Sequence, residues 1–283
     1  MDGNKKVLLA VFAHPDDETF GMGGTLAHYA HQGVEVHLVC ATRGEVGDVP
    51  PEMLKGFDSV AELRENELRC AASTLGIKEV HFLNYRDSGM PGSADNTHPN
   101  ALAAQDVQKV AAEVVHYIRL LQPQIVVTFD PIGGYRHPDH IAIQRATEKA
   151  FYAAGDPNYT IDPQPPYAPA RLYFNTMPKT ILKLGVFWMR LSGKNPRKAG
   201  KNGDIDLVSI ANTSFPINAV INYRSVMEIR DQASACHASQ GGGAQITGGF
   251  MGAIRRTFAA RENYMRAFPE PNGHREKDLF EGL

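Results

Sequence analysis

A continuous apolar run, Val7–Phe12, stops at Ala13-His14-Pro15-Asp16-Asp17-Glu18, which sets one imidazole and three carboxylates within five residues. Six residues without a polar break suit a strand buried on both faces, as in a parallel sheet, and not a half-exposed strand, which would alternate. Pro15 ends the ladder, and the acids after it suit the first turn of a helix. The chain does this twice. Ile125–Phe129 is a second apolar run, and the only other His-Pro-Asp, in His137-Pro138-Asp139-His140, comes after it and again precedes a helical pattern. A helix cap accounts for either copy alone. Two copies of one tripeptide at equivalent places point to one shared site.

The segments between them alternate. Residues 19–31 read as a helix, 34–41 as a strand, and 59–75 as a helix closed by Gly76. Residues 80–83 read as a third strand, 101–121 as an amphipathic helix, and the last helix of this half runs to about 153. Such alternation predicts an α/β fold, a Rossmann-like, doubly wound, mostly parallel sheet with an elaborated C-terminal part. Its body is expected in residues 1–155, with 156–283 closing the site of a single domain. Gly21, Gly23 and Gly24 open the first helix, but a dinucleotide loop would need a third spaced glycine and an acid after the second strand. Beyond a proline-rich crossing (Pro157, Pro163, Pro165, Pro166, Pro169), the pattern predicts a strand at 171–175, a mobile Lys/Gly/Asn insertion at 194–204, an edge strand at 205–210, a helix over 219–240, then one more helix and a tail.

Composition removes several partners. With 283 residues, 43% hydrophobic, the chain can fill a substantial core, and its net charge of -2 leaves no overall electrostatic footprint for nucleic acid or an anionic membrane. No stretch approaches the roughly 20 apolar residues of a spanning helix, and the amino terminus leads into a strand, not a signal-peptide core. Cys40, Cys70 and Cys236 are odd in number and far apart, so they are expected to be free packing residues in a reducing, cytoplasmic compartment. A small-molecule substrate is the expected partner, and a homo-oligomer stays open.

A catalytic zinc takes three N or O ligands and leaves a position for water. His14, Asp17 and His140 supply that set, which also suits Fe²⁺ or another divalent ion. Asp16, beside the ligands, suits a general base for water, and His137 on the other wall is either the acid or a positive charge beside the oxyanion. Asp139 would fix the His137 tautomer. These are the parts needed to hydrolyse an amide or ester. Lone histidines such as His28 and His116 read as surface or packing residues. His237, followed by Ser239 and Gln240, either reaches the site or caps a helix, and Arg64 with Glu67 reads first as a solvated pair one helical turn apart.

The two motifs, with Arg64-x-x-Glu67-Leu68, Asp87-Ser88-Gly89-Met90, Gly134-Tyr135, His237-x-Ser239-Gln240 and the closing Asp278-Leu279-Phe280, resemble the LmbE-like, or PIG-L, family of zinc-dependent N-deacetylases. The resemblance spans most of the chain. It implies a Rossmann-like fold, zinc on His14, Asp17 and His140, Asp16 as base, and His137 as acid or stabiliser. It further implies that Arg64 and Asp87 contact the sugar or its appended group and that Tyr135 helps polarise the carbonyl. The implied substrate is an N-acetylglucosaminyl compound; an amidase of thiol-sugar conjugates and a sugar- or metal-binding module without turnover are the alternatives. Arg136 stands where mycothiol-pathway relatives have glycine.

Overall fold

In a computed structural model, which describes residues 5–177, 179–199, 203, 205–243 and 260–283, the described residues form one mixed sheet of seven strands. In chain order these are β1 (Val7–Phe12), β2 (Glu35–Thr42), β3 (Glu79–Tyr85), β4 (Ile125–Phe129), β5 (Arg171–Thr176), β6 (Ala219–Asn222) and β7 (Arg261–Phe268), and in space they run β3-β2-β1-β4-β5-β7-β6. The first five are parallel, while β7 lies antiparallel to both β5 and β6. Every residue of β1 and β4 is buried, as unbroken apolar runs require of central parallel strands.

The helices are α1 (Asp17–His31), α2 (Val60–Leu75), α3 (Val107–Leu121), the short α4 (Gly133–Arg136), α5 (Pro138–Ala154), α6 (Lys179–Leu191), α7 (Leu207–Asn212) and α8 (Met227–Cys236). α1, α2 and α8 pack together, and α3 packs with α5, as right-handed crossovers on the two faces of the sheet demand. Caps fix their ends: Ser59 accepts from the Glu62 amide (3.1 Å), and Gly76, at φ 80°, ends α2 in the left-handed region. Strand order reverses between β1 and β4. In such sheets the crevice at that reversal, beyond the carboxyl ends of the strands, is where ligands sit, and both His-Pro-Asp turns lead out from it.

The N-terminal half follows the sequence reading with small shifts. The helix read from 101 begins at Val107, because Leu102–Ala104 forms a 3-10 turn and Asp106 provides the cap, accepting from Gln108 (2.8 Å). The C-terminal part departs more. Residues 205–210 are not an edge strand: Asp206 accepts from Ser209 (3.0 Å) and starts α7, whose Val208 and Ala211 pack on Val186 of α6, a helix the pattern did not indicate. The helix expected over 219–240 is split into β6, a 3-10 turn (Arg224–Val226) and α8. Of the final helix, 244–259 lie outside the described residues, and 261–268 are β7 instead. Residues 200–202 and 204 of the expected insertion also lie outside them; Ala199 and Ile205 bridge its ends with paired backbone bonds (2.9 and 3.1 Å).

The cysteine expectation is corrected. Cys70 and Cys236, 166 residues apart, form a disulfide across the α2/α8 contact, and Cys40 alone is free and buried. Sequence spacing cannot show that two helices lie side by side. With that bond in place, the cysteines no longer argue for a reducing compartment. No helix among the described residues is long and apolar enough to cross a membrane.

Candidate active site

The turn after β1 is held from several sides. Asp16 takes φ 124° and ψ -27°, a conformation costing a non-glycine residue on the order of 1–3 kcal/mol unless its surroundings fix it. Its amide donates to Glu18 (3.0 Å), and its carbonyl accepts from Thr19 and Phe20 (3.0 and 2.8 Å). From α2, Arg64 Nη2 donates to the Pro15 carbonyl (2.5 Å) and pairs with Asp16 Oδ2 (3.0 Å), while Nη1 donates to the Gly44 carbonyl (3.1 Å). Gly44 leaves room for this guanidinium: a Cβ there would stand 2.0 Å from Nη1.

The turn after β4 is shaped by Asp130, whose carboxylate accepts from the Ile132 and Gly134 amides (3.1 and 2.9 Å) and so carries Tyr135 to the cleft. Arg136, next to it, is left-handed at φ 74° and reaches Thr213, which caps the end of α7 (3.4 Å). His137 caps α5, its Nδ1 accepting from the Asp139 amide (3.2 Å), which puts the proton of the neutral ring on Nε2.

Between the turns three donors converge. His14 Nδ1 lies 3.2 Å from His140 Nε2 and 3.5 Å from Asp17 Oδ2, and His140 Nε2 lies 3.3 Å from Asp17 Oδ1. Ligand atoms on a tetrahedral ion with bonds of about 2.0–2.1 Å stand about 3.3–3.4 Å apart; the two ring nitrogens come close to that spacing, and each faces a different oxygen of Asp17. The other ring nitrogens agree. His140 Nδ1 faces the Gly133 carbonyl (3.2 Å) and His14 Nε2 faces Asp139 Oδ2 (3.1 Å); donating there leaves both lone pairs on the side of Asp17. Two further groups share His14, one with His137 and His140 and one with Asp87 and Asp139. Asp139 is already committed, accepting from the Ser88 amide (2.8 Å), the Ser88 hydroxyl and the Ala103 amide (3.2 Å). Its carboxylate therefore orients His14, and not His137 as the sequence suggested; only its amide meets His137.

Burial sets the charge states. It lifts the Asp16 carboxyl to about 7 against the pull of Arg64. It lowers His137 to about 3, helped by His14 and His140, and His140 to about 4. Burial would raise Asp17 too, but His140 and His14 outweigh it and hold that carboxyl well below the ordinary value. His14 goes the other way: against the pull of burial, Asp87 and the hydrogen bonds to Asp139 and Asp17 raise it well above its ordinary value, so a metal bound here would displace the His14 proton, while His140 is already neutral.

The cleft is an open cavity of about 420 Å³ whose wall includes His14, Asp16, Arg64, Asp87, Tyr135 and His137. Asp17, His140 and Asp139 stand behind that wall. Asp87 is positioned by the Gly89 amide (2.8 Å) and lies 3.4 Å from His14 Nε2. His237 is elsewhere: fully buried, it meets Glu18 Oε1 through Nε2 (2.7 Å), behind the Asp16 turn and off the cavity wall. Glu67 is no solvated partner of Arg64. It is buried and accepts from the Ser239 amide and hydroxyl (2.8 and 2.7 Å). Glu18 and Asp130 are supports the sequence reading gave no role, although Glu18 stands within the first motif, and Glu67 is a support where a solvated pair was expected.

Buried histidines and carboxylates that could hold a metal, at the switch point of a parallel α/β sheet, are the kind of site that metal-assisted hydrolases use. Within that class the chain belongs to the PIG-L family: residues 9–151 match the family described as GlcNAc-PI de-N-acetylase. It is similar to 1D-myo-inositol 2-acetamido-2-deoxy-alpha-D-glucopyranoside deacetylase 2 of Catenulispora acidiphila, 34% identical over 98% of this chain and 97% of that one. It is likewise similar to the deacetylase of that substrate from Acidothermus cellulolyticus, 36% identical over 98% and 94%. The fold is shared with N,N'-diacetylchitobiose deacetylase from Pyrococcus horikoshii, with a TM-score of 0.60, 22% identity and coverage of 93% of this chain and 84% of that one. It is also shared with the 4-carboxy-2-hydroxymuconate hydratase GalB of Pseudomonas putida KT2440, with a TM-score of 0.61, 19% identity and coverage of 94% and 97%. One fold thus carries unlike reactions, and the chemistry must be argued from the site.

Proposed function

We propose that this chain is a zinc-dependent N-deacetylase that hydrolyses the acetamido group of an N-acetylglucosaminyl glycoside or conjugate. The observation that carries it is the His14/Asp17/His140 cluster, which meets the cavity through His14, with the Asp16 carboxylate on the same wall. The deacetylase names of the relatives support the amide and the sugar, and those from Catenulispora and Acidothermus favour an inositol aglycone. When bound to this set, zinc would supply Lewis acidity to the acetyl carbonyl and to water.

The side chains then have separable tasks. Asp16 takes the proton of the attacking water, and Arg64 keeps its carboxylate aimed into the cavity. The Nε2–H of neutral His137 donates to the carbonyl oxygen as negative charge builds there, with the Tyr135 hydroxyl beside it. The C–N bond breaks as the sugar nitrogen takes up the proton that Asp16 received from water, and acetate and the free amine leave. Arg64 and Asp87 edge the space for sugar hydroxyls or the aglycone. The test is acetate release from a panel of GlcNAc glycosides, including GlcNAc-inositol, by protein loaded with zinc or with Fe²⁺. Zinc-loaded protein that binds these sugars without releasing acetate would make the site a binding module; cleavage confined to thiol-sugar amides would make it an amidase.

A further inference from the structure

α6 and the segment after it carry a surface that the cleft does not use. Leu184, Phe187, Trp188 and Leu191 fall at helical spacing on one face of α6, and they are 55%, 55%, 61% and 62% exposed. The opposite face is spoken for, since Leu182 and Val186 pack on α7. From Lys179 to Lys201 there are seven cations, Lys179, Lys183, Arg190, Lys194, Arg197, Lys198 and Lys201, and no acid. Lys183 and Arg190 border the apolar face, and Lys194 and Lys198 are exposed beyond the helix end together with Arg197, which pairs with Asp206 (2.8 Å). The chain's near-neutral total conceals this local excess.

We propose that α6 and its basic extension dock on an anionic bilayer surface, with the helix lying in the interface and Leu184, Phe187, Trp188 and Leu191 turned into it. Exposed Trp, Phe and Leu on one stripe with Lys and Arg along its border is the pattern of an interfacial helix. Thirteen residues are too few to span a membrane, so the contact is in-plane. Anionic headgroups fit better than a second copy, because an isologous contact through this patch would oppose the two sets of cations. None of these residues lines the cavity.

Trp188 is the only tryptophan in the chain, so its fluorescence reports the contact directly. The full chain is titrated with vesicles of phosphatidylglycerol and phosphatidylcholine in equal parts, and with phosphatidylcholine alone. Anionic vesicles should pellet the protein and shift Trp188 emission to the blue, an effect weakened at about 0.5 M salt; neutral vesicles should do neither. Replacing Lys194, Arg197 and Lys198 together with Gln should weaken binding roughly 100-fold, and Phe187→Ser with Leu191→Ser should abolish it. An unchanged melting temperature in these variants shows that they are folded. Failure to pellet with anionic vesicles, equal binding to neutral ones, or a blue-shifted Trp188 in a vesicle-free dimer would each overturn the proposal.

Discussion

The residues that face the cleft and the residues that hold them come from different parts of the chain. His14, Asp16, Tyr135 and His137 stand on the turns after β1 and β4, with Asp17 and His140 just behind them at the starts of α1 and α5, all in the parallel half. Behind them His237 braces Glu18, Ser239 engages Glu67 on the helix of Arg64, and Glu262 of β7 accepts from the Gly24 and Thr25 amides of α1 (3.0 and 2.7 Å). The parallel half places donors at strand ends with little help, whereas the C-terminal part works through buried contacts that fix the angle of α1 and α2. Substitutions in front should therefore change chemistry with the fold intact, and substitutions behind should change stability and rate together.

The largest expected effect is at the donors. His14→Ala, Asp17→Ala or His140→Ala should each lower zinc content from roughly one per chain to a small fraction, measured by elemental mass spectrometry, while His28→Ala and His116→Ala leave it unchanged. Full, tight zinc binding without His140 would remove the second turn from the site.

Asp16→Asn comes next. It keeps shape but cannot take a proton, so zinc stays and kcat should fall on the order of 10²- to 10⁴-fold with KM little changed. Near-normal kcat with zinc bound would return the strained Asp16 turn to the role of a helix cap.

His237→Ala sharpens the contrast from the other side. It takes the imidazole from the buried Glu18 carboxylate and leaves it only the Asp16 amide and the Thr19 hydroxyl, and kcat should fall roughly 10- to 100-fold, as for other outer contacts that orient a metal site, with a lower melting temperature. A change in KM alone would mean that His237 touches the substrate after all.

The same division explains what could be read in the sequence. β1, β4 and both His-Pro-Asp turns are local: the apolar run, the proline and the acids say where a strand ends and a helix starts, and β4 needs no change of boundary. Asp206 is also local, but a β-branched run after it looked like a strand until α6 offered Val208 and Ala211 a surface. β6 and β7 are the opposite case. β6 is a strand because β7 pairs with it across about forty residues (Ala219 with Tyr264, Asn222 with Arg261), and β7 because it lies between β6 and β5; no window of sequence shows those ladders. Likewise Glu67 resembles any solvated acid until Ser239 arrives, and Cys70 any lone thiol until α8 brings Cys236.

The disulfide offers a test with no residue of the cleft involved. Closing a loop of 166 residues restricts the unfolded chain, and its loss should cost about 2–5 kcal/mol. Reductant, or Cys70→Ser with Cys236→Ser, should therefore lower the melting temperature while zinc content and KM hold. Loss of zinc together with the disulfide would show that the front of the site is not independent of α8.

The smallest effect separates the sheet itself from both. His37 on β2 and His81 on β3 stack at 5.9 Å between ring centroids. Burial lowers both pKa values, and His81 adds to the effect on His37 as His116 does on His81, while Glu35 and Glu79 pull the other way and Lys78 adds to the lowering of His37. A histidine depressed in the fold stays neutral where the unfolded chain already binds a proton, so the unfolded state gains protons as pH falls through about 6.5. The contribution of this pair should be flat above that pH and decline below it, and His81→Gln should lessen the decline measured as melting temperature between about pH 7.5 and 5.5. Because the pair lies on β2 and β3, away from the cavity wall, zinc content at neutral pH should be the same in His81→Gln. A decline of equal slope in that variant would move the acid sensitivity elsewhere, leaving the histidine stack as packing alone.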